Sequence, residues 1–219
     1  MDIVPFIPLV IIGITSLIGL RTFIVGAPEP LKQLSRLWLV LFAVEVAGLV
    51  LKYVAGKPNK WLFNLFYIFF FFYLSSLFSR VLESNRVRTV IGFFYVTFIT
   101  FAIINAFFIQ DVREFHSLTY VVGGIFSIYL SGAYLWQMVV SPDNDKVTHD
   151  PFFWVSFGLV LYFGCTVPFY GMFNYLETHH YEFTVFYHTY ISNTFSIVLN
   201  LLIMTAFLCR KRFPKSFSY

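Results

Sequence analysis

The stretch LVLFAVEVAGLVLKYV, residues 39–54, decides the fold of this chain. Of its sixteen residues, only Glu45 and Lys52 carry charge, and the apolar run continues on the N-terminal side. The hydrocarbon core of a bilayer is about 30 Å thick, which roughly 20 apolar residues cross as an α-helix. The stretch therefore predicts a membrane-spanning helix rather than a helix of a water-soluble domain.

Six other parts of the chain show the same pattern. The seven segments cover residues 4–25, 36–56, 61–80, 88–110, 117–140, 152–176 and 185–209. The composition agrees, because 58% of the 219 residues are hydrophobic and 12% are charged, whereas soluble domains carry about 25% charge. We predict an all-α integral membrane protein, with residues 1–219 forming a single domain of seven transmembrane helices in the lipid bilayer.

The distribution of lysine and arginine predicts the orientation, because cytoplasmic loops are enriched in both. With the N-terminus outside, eleven basic residues lie on the inner side and four on the outer side. The outer four are Lys52, Lys57, Lys60 and Arg113. We therefore expect an outside N-terminus and a cytoplasmic C-terminus. Topology also accounts for the net charge of +4, so nucleic acid is not an expected partner.

Glu45 is the sharpest candidate for function. A charged side chain at the bilayer centre costs about 2.5–3.5 kcal/mol on insertion scales, and such residues face the bundle interior. Glu45 is either a neutral, hydrogen-bonded packing residue or a ligand, proton or switch site. Lys52, seven residues further on, lies on the same helix face but nearer the surface.

The seventh segment carries a polar stripe. His188, Ser192, Ser196 and Asn200 follow one another at four-residue steps, and Asn193 lies beside them. Residues at this spacing share one helix face, and in a membrane that face turns toward other helices. By position, Ser196 and Asn200 reach the depth of Glu45, so we expect Glu45 near them. The stripe either joins helices together or lines a ligand-binding or switch site.

Two further features are interpreted as packing devices. Gly123, Ser127 and Ser131 form a ridge of small residues in the fifth segment, which allows close helix approach. Pro168, in the sixth segment, removes a backbone donor and predicts a kink.

The histidines lie mostly between the sixth and seventh segments. His179, His180 and His188 fall within ten residues, near Glu177 and Glu182. No HExxH motif or pair of histidines four residues apart presents two ligands on one helix face. We therefore predict a solvated loop over residues 175–184 and no metal site. Nor does the chain contain GxSxG, a P-loop or a dinucleotide-binding fingerprint, so we expect no catalytic residues and no cofactor.

The segment DPFFWVSFGLVLYFGCTVPF, with the basic end CRKRFPKSFSY, resembles small uncharacterised seven-helix membrane proteins of Bacteroidota. These proteins are thought to pair with sensor histidine kinases. The likeness covers about a fifth of the chain and carries no functional residue with it. It implies a multi-pass protein of a bacterial cytoplasmic (inner) membrane with a sensory or accessory role. A histidine kinase is then a candidate partner.

We therefore expect a non-enzymatic sensor or accessory subunit that acts through a membrane or cytoplasmic protein. Candidate partner contacts are the basic residues at the predicted inner side: Arg80, Arg86, Arg88, Arg210, Lys211 and Arg212. Two alternatives remain. A small transporter of the SWEET or PQ-loop kind also has seven helices, but the Pro-Gln dipeptide and a visible internal repeat are missing. A membrane-embedded enzyme would use Glu45 with the histidines, which lie at different depths.

Overall fold

The computed structural model describes residues 6–111, 113–140 and 147–209, and these residues form helices and no strand. Seven helices in this part of the chain are long and apolar enough to cross a membrane, so the prediction of an all-α fold with seven potential membrane spans is confirmed. They are α1 (Ile7–Ile24), α2 (Glu29–Val54), α3 (Lys60–Val81), α4 (Asn85–Ile109), α5 (Ser117–Val140), α6 (Pro151–Gly171) and α7 (Tyr181–Leu208).

Local sequence signals set the ends of several helices. Asp150 caps α6, because its carboxylate accepts a hydrogen bond of 2.8 Å from the backbone N–H of Phe152. Pro151, which has no N–H to satisfy, is the first residue of that helix. Gly26 and Gly56 follow α1 and α2 with φ of 63° and 61°, a backbone conformation that favours glycine.

The helices are arranged as a six-membered ring with one helix outside it. α1 packs against α2 and α7, α3 packs against α2 and α5, and α6 packs against α5 and α7. These contacts close a ring in the order α1, α2, α3, α5, α6, α7. α4 lies outside the ring, against α3 and α5. The interior of the ring is therefore bounded by helices from both halves of the chain.

The bundle has two ends, which are named here by their links. Residues 55–59, 110–111, 113–116 and 172–180 lie at one end, where Lys60 pairs with Glu177. Because His116, His179 and His180 are in these links, we call this the histidine end. Residues 25–28, 82–84 and 147–150 and Cys209 lie at the opposite end, where the Cys209 thiol contacts the Thr148 carbonyl.

Aromatic rings fill the centre of the ring of helices. Phe71 of α3 contacts Phe98 of α4, Tyr120 of α5 and Phe163 of α6, with centroid distances of 5.6–6.0 Å. Gly123 of α5 lies directly against Phe71, and a Cβ at this glycine would stand 2.1 Å from the phenylalanine ring. The prediction that the Gly123 ridge serves close packing is therefore confirmed.

Three π-helical segments interrupt the spans, and all three lie toward the histidine end. They are Val50–Val54 in α2, Asn105–Ile109 in α4 and Tyr187–Ser192 in α7. The α6–α7 link also differs from the predicted loop over residues 175–184. A short connecting helix, Phe173–His179, follows α6 almost at once, and α7 already begins at Tyr181.

Pro168 lies inside α6, where it cannot donate a backbone hydrogen bond. A side chain from α7 contacts the preceding turn, because the Tyr187 hydroxyl donates a hydrogen bond of 2.7 Å to the Cys165 carbonyl. This hydrogen bond joins α6 to the π-helical segment of α7 close to Pro168.

Candidate functional site

Glu45 lies on the inward-facing stripe of α2. Leu34, Trp38 and Gly48 occupy the same stripe at helical spacing and are buried, whereas Val40 and Val50 on the other side are exposed. Glu45 itself is half-buried, and its carboxyl makes no hydrogen bond or ion pair with any described residue. An acidic side chain therefore faces the interior of an apolar ring, with part of its surface accessible.

Three tyrosine side chains from two other helices lie near this carboxyl. The carboxyl of Glu45 lies within electrostatic range of the hydroxyls of Tyr67 on α3 and of Tyr162 and Tyr170 on α6. Tyr170 extends the cluster to α7, since its hydroxyl lies 3.2 Å from the Ser192 hydroxyl. We call Glu45, Tyr67, Tyr162, Tyr170 and Ser192 the acid–tyrosine cluster. It offers one carboxyl and several hydroxyls, which can bind a proton or a hydrogen-bonding ligand.

A buried hydrogen bond fixes the register of α2 against α7. The Trp38 indole N–H donates to the Asn200 side-chain oxygen at 2.9 Å, and both residues are buried. Glu45 is seven residues from Trp38, about 10 Å along the helix axis toward the histidine end. Because α2 and α7 are antiparallel, Glu45 is closer in depth to Ser192 than to Asn200. The expected match in depth between Glu45 and Asn200 is therefore wrong.

The rest of the predicted stripe on α7 divides into different environments. Asn193 donates to the Thr189 carbonyl of its own helix at 2.9 Å, and Ser196 is half-buried. His188 is exposed, so it does not share the buried face of Ser192 and Asn200. Both His188 and Ser192 lie in the π-helical segment Tyr187–Ser192.

Three of the basic residues predicted to contact a partner, Arg80, Arg86 and Arg88, lie at the end opposite the histidines. Two nitrogen atoms of Arg80 lie 3.2 and 3.3 Å from the side-chain amide of the buried Gln33, which accepts two hydrogen bonds when its oxygen is turned toward the guanidinium. Arg88 donates to the Leu82 carbonyl at 3.1 Å, and Arg86 is exposed at the start of α4. Arg80 and Arg88 thus also hold α2, α3 and α4 together. Arg210, Lys211 and Arg212 lie outside the described residues.

The two adjacent histidines of the α6–α7 link are solvent-exposed. His179 stacks on Tyr175 with centroids 4.4 Å apart, and its ring nitrogen lies 2.8 Å from the Thr178 hydroxyl. His180 is exposed beside the same tyrosine. Among the described residues, no group of three or more histidine, cysteine, aspartate or glutamate side chains is placed to hold a metal ion.

Sequence reasoning missed the tyrosines and His116. The tyrosines come from separate apolar segments, so only the tertiary structure brings their hydroxyls together. His116, in the short α4–α5 link, is 6% exposed, and neither ring nitrogen has a hydrogen-bond partner. The only sequence signal for the buried position of His116 was a histidine next to a phenylalanine between two predicted spans.

No family model matches the chain, and no curated protein or solved structure shows significant similarity to it.

Proposed function

We propose that the chain is a non-enzymatic seven-helix membrane sensor or accessory subunit that acts through a partner protein. The observation that carries this proposal is the placement of Glu45, half-buried on the inward face of α2 and among phenol groups of α3 and α6. A proton or a small lipophilic ligand bound there contacts several helices at once. Such binding can shift the packing of the whole ring, provided that it favours one arrangement over another.

The proposed orientation has the N-terminus outside and the C-terminus in the cytoplasm of a bacterial inner membrane. The excess of lysine and arginine at the end opposite the histidines supports it. A reporter enzyme that works only in the cytoplasm, fused after Tyr219, is expected to be active. Activity only with a reporter that requires the outer side would reverse the orientation.

The protonation of Glu45 can be measured directly. The full chain in lipid nanodiscs is titrated while infrared difference spectra record the carbonyl stretch of protonated carboxylic acids. We expect a carboxylic-acid band that is lost in Glu45→Gln and retained in Glu177→Gln, which removes an acid of the connecting helix. A spectrum unchanged by Glu45→Gln would show that this residue does not bind the titrating proton.

The partner would contact the basic end, and a membrane-bound histidine kinase is the class that the resemblance implies. Arg86 is the most useful test residue, because it is exposed and has no side-chain hydrogen bond within the described structure. Arg86→Glu should weaken association with a co-expressed kinase without changing the unfolding midpoint. Arg113→Glu, at the other end of the bundle, should leave association unchanged; an equal loss in both variants would argue against a basic docking site.

A small transporter is the second candidate, and the arrangement of the helices favours it. α1–α3 and α5–α7 run in the same order and direction and occupy equivalent positions in the ring, while α4 lies outside it. Parallel repeats of this kind occur in SWEET transporters. Proteoliposomes enclosing a pH-sensitive dye would test the simplest form of this alternative. Proton entry that requires Glu45 would favour transport, and a tight membrane would favour the sensor.

A further inference from the structure

Residues 113–116 of the α4–α5 link contact two asparagine side chains. Asn64 of α3 donates to the Glu114 carbonyl at 2.8 Å and accepts from the His116 backbone N–H at 2.9 Å. Asn174 of the connecting helix donates to the Phe115 carbonyl at 3.0 Å. The link therefore closes over the histidine end through a small number of neutral hydrogen bonds.

The side chain of Phe115 covers tyrosine side chains beneath this link, and we call it the plug. Its ring is 7% exposed and contacts Tyr67, Tyr120, Tyr170 and Phe173, with centroid distances of 5.4–6.0 Å. Tyr67 and Tyr170 belong to the acid–tyrosine cluster. Movement of Phe115 would therefore uncover that cluster from the histidine end.

His116 is a buried polar residue in the closed link whose ring lacks hydrogen bonds. It directly follows the plug and is buried, its ring faces the Asp111 carbonyl, and neither ring nitrogen completes a hydrogen bond. A buried polar group without a hydrogen bond is unfavourable, and a buried charge without a partner is more so. Burial disfavours an imidazolium more than the neutral ring in the closed link, and the Asp111 carbonyl and the Glu114 carboxylate offset only part of this cost.

The charged groups around His116 come from three elements. The link itself carries Asp111, Arg113 and Glu114, and Lys60 of α3 pairs with Glu177 of the connecting helix. α5 and the π-helical end of α4 contribute no charged side chain. Of these groups, the Glu114 carboxylate acts on the His116 ring and favours its protonated form.

We propose that the α4–α5 link is a pH-operated plug, in which protonation of His116 releases Phe115 from the tyrosines that it covers. The released imidazolium is hydrated, and it lies next to the carboxylates of Asp111 and Glu114 at the surface. The neutral ring favours the closed link. This inference holds whether the protein is a sensor or a transporter.

The direction of the pH dependence follows from the linkage between proton binding and closure of the link. Burial lowers the pKa of His116 below its ordinary value of 6.5, and this effect exceeds the opposing effects of Asp111 and Glu114. The closed link binds fewer protons than the open link, so closure is favoured at high pH. As the pH falls below 6.5, the open-to-closed ratio rises by up to about tenfold per pH unit until the lowered pKa is reached.

Hydrogen exchange of the full chain in nanodiscs tests this proposal. We expect the protection factor of peptides covering residues 113–118, corrected for the intrinsic pH dependence, to fall by up to about tenfold between about pH 7.5 and about pH 5.5. His116→Gln, which cannot titrate, should abolish the change. The matched control His180→Gln removes an exposed histidine of the same end and should retain it.

A second measurement keeps the proposal testable if His116→Gln does not fold. Ser117→Cys, with Cys165 and Cys209 replaced by serine, places a thiol at a position that is 4% exposed, directly beside the link. Its labelling rate is divided by that of the exposed Lys57→Cys, and the ratio should rise as the pH falls. A ratio and a protection factor that stay constant with pH, or a change that persists in His116→Gln, would overturn the proposal.

Discussion

Two buried polar sites in the bundle, the Trp38–Asn200 pair and the region of Glu45 and His116, differ in their hydrogen bonding. In the half opposite the histidines, Trp38 and Asn200 satisfy each other across the ring and are 0% and 2% exposed. In the histidine half, the Glu45 carboxyl has no hydrogen-bond partner among the described residues, and both ring nitrogens of His116 are unpaired. The three π-helical segments also lie toward that end.

This difference separates groups that maintain the fold from groups that are available for function. A satisfied buried pair stabilises one arrangement, because either partner alone would be left without a hydrogen bond. A polar group without a partner costs stability in the resting state and gains most from a new proton or ligand. The following predictions test whether stability depends mainly on buried, hydrogen-bonded pairs such as Trp38 and Asn200.

The largest effect is expected at the packed junction between the halves. Gly123→Ala would place a methyl group 2.1 Å from the ring of Phe71, which is itself 1% exposed. We expect a loss of about 3 kcal/mol, at the upper end of the usual cost of overpacking. Thermal unfolding in detergent measures it.

Gly132→Ala is the matched control on the same helix, because nothing lies within 4 Å of a Cβ at that position. It should leave the unfolding midpoint unchanged or raise it slightly. Equal destabilisation by the two substitutions would show that α5 does not pack against α3 as described.

The next effect concerns the satisfied pair. Asn200→Ala leaves the indole N–H of Trp38 buried without an acceptor, and we expect a loss of about 2 kcal/mol. Asn193→Ala, which removes only a bond within α7, should cost less than about 0.5 kcal/mol. In a double-mutant cycle, Trp38→Phe should be less harmful once Asn200 is alanine. Additive effects would contradict the pairing.

Sequence patterns predicted the spans better than the site. Apolar length is a local property, so seven helices could be counted from the sequence alone. The hydrogen-bond partner of Asn200 is 162 residues away in the sequence. No local sequence pattern predicts how α2 and α7 align with each other. Likewise, four-residue spacing predicted one polar stripe, but His188 is exposed whereas Ser192 and Asn200 are buried, and the spacing does not determine the exposure of each side chain.

Glu45 was detectable because a carboxyl in an apolar segment is rare. Its tyrosine neighbours were not, since tyrosine is common in this chain and its hydroxyl becomes informative only through its surroundings. The α6–α7 link shows the same limit. Its polar residues predicted a loop, but the structure forms the connecting helix Phe173–His179, whose contacts reach Lys60 and the α4–α5 link.

A smaller effect on stability is expected in the histidine half. Glu45→Gln keeps the shape of the side chain and breaks no described hydrogen bond or ion pair, so the free energy of unfolding should change by less than about 1 kcal/mol. The shift in midpoint should be clearly smaller than that of Asn200→Ala in the same detergent. A loss larger than that of Asn200→Ala would show that Glu45 maintains the fold through an ionised pair.

The smallest effect is expected for the ion pair between Lys60 and Glu177. The two charged atoms are 2.8 Å apart, but both side chains remain about one-third exposed. Water and salt screen such a pair, so Glu177→Gln should cost only about 0.2–1 kcal/mol, and less at high ionic strength. Glu182→Gln, an exposed substitution in the first turn of α7, is the control and should change nothing measurable. The comparison with Trp38 and Asn200 predicts this weakness, because that pair is buried whereas the charges of Lys60 and Glu177 remain partly exposed to water. A salt-independent loss as large as that of Asn200→Ala would mean that the connecting helix is a main source of stability, and that the histidine half is as firmly held as the other.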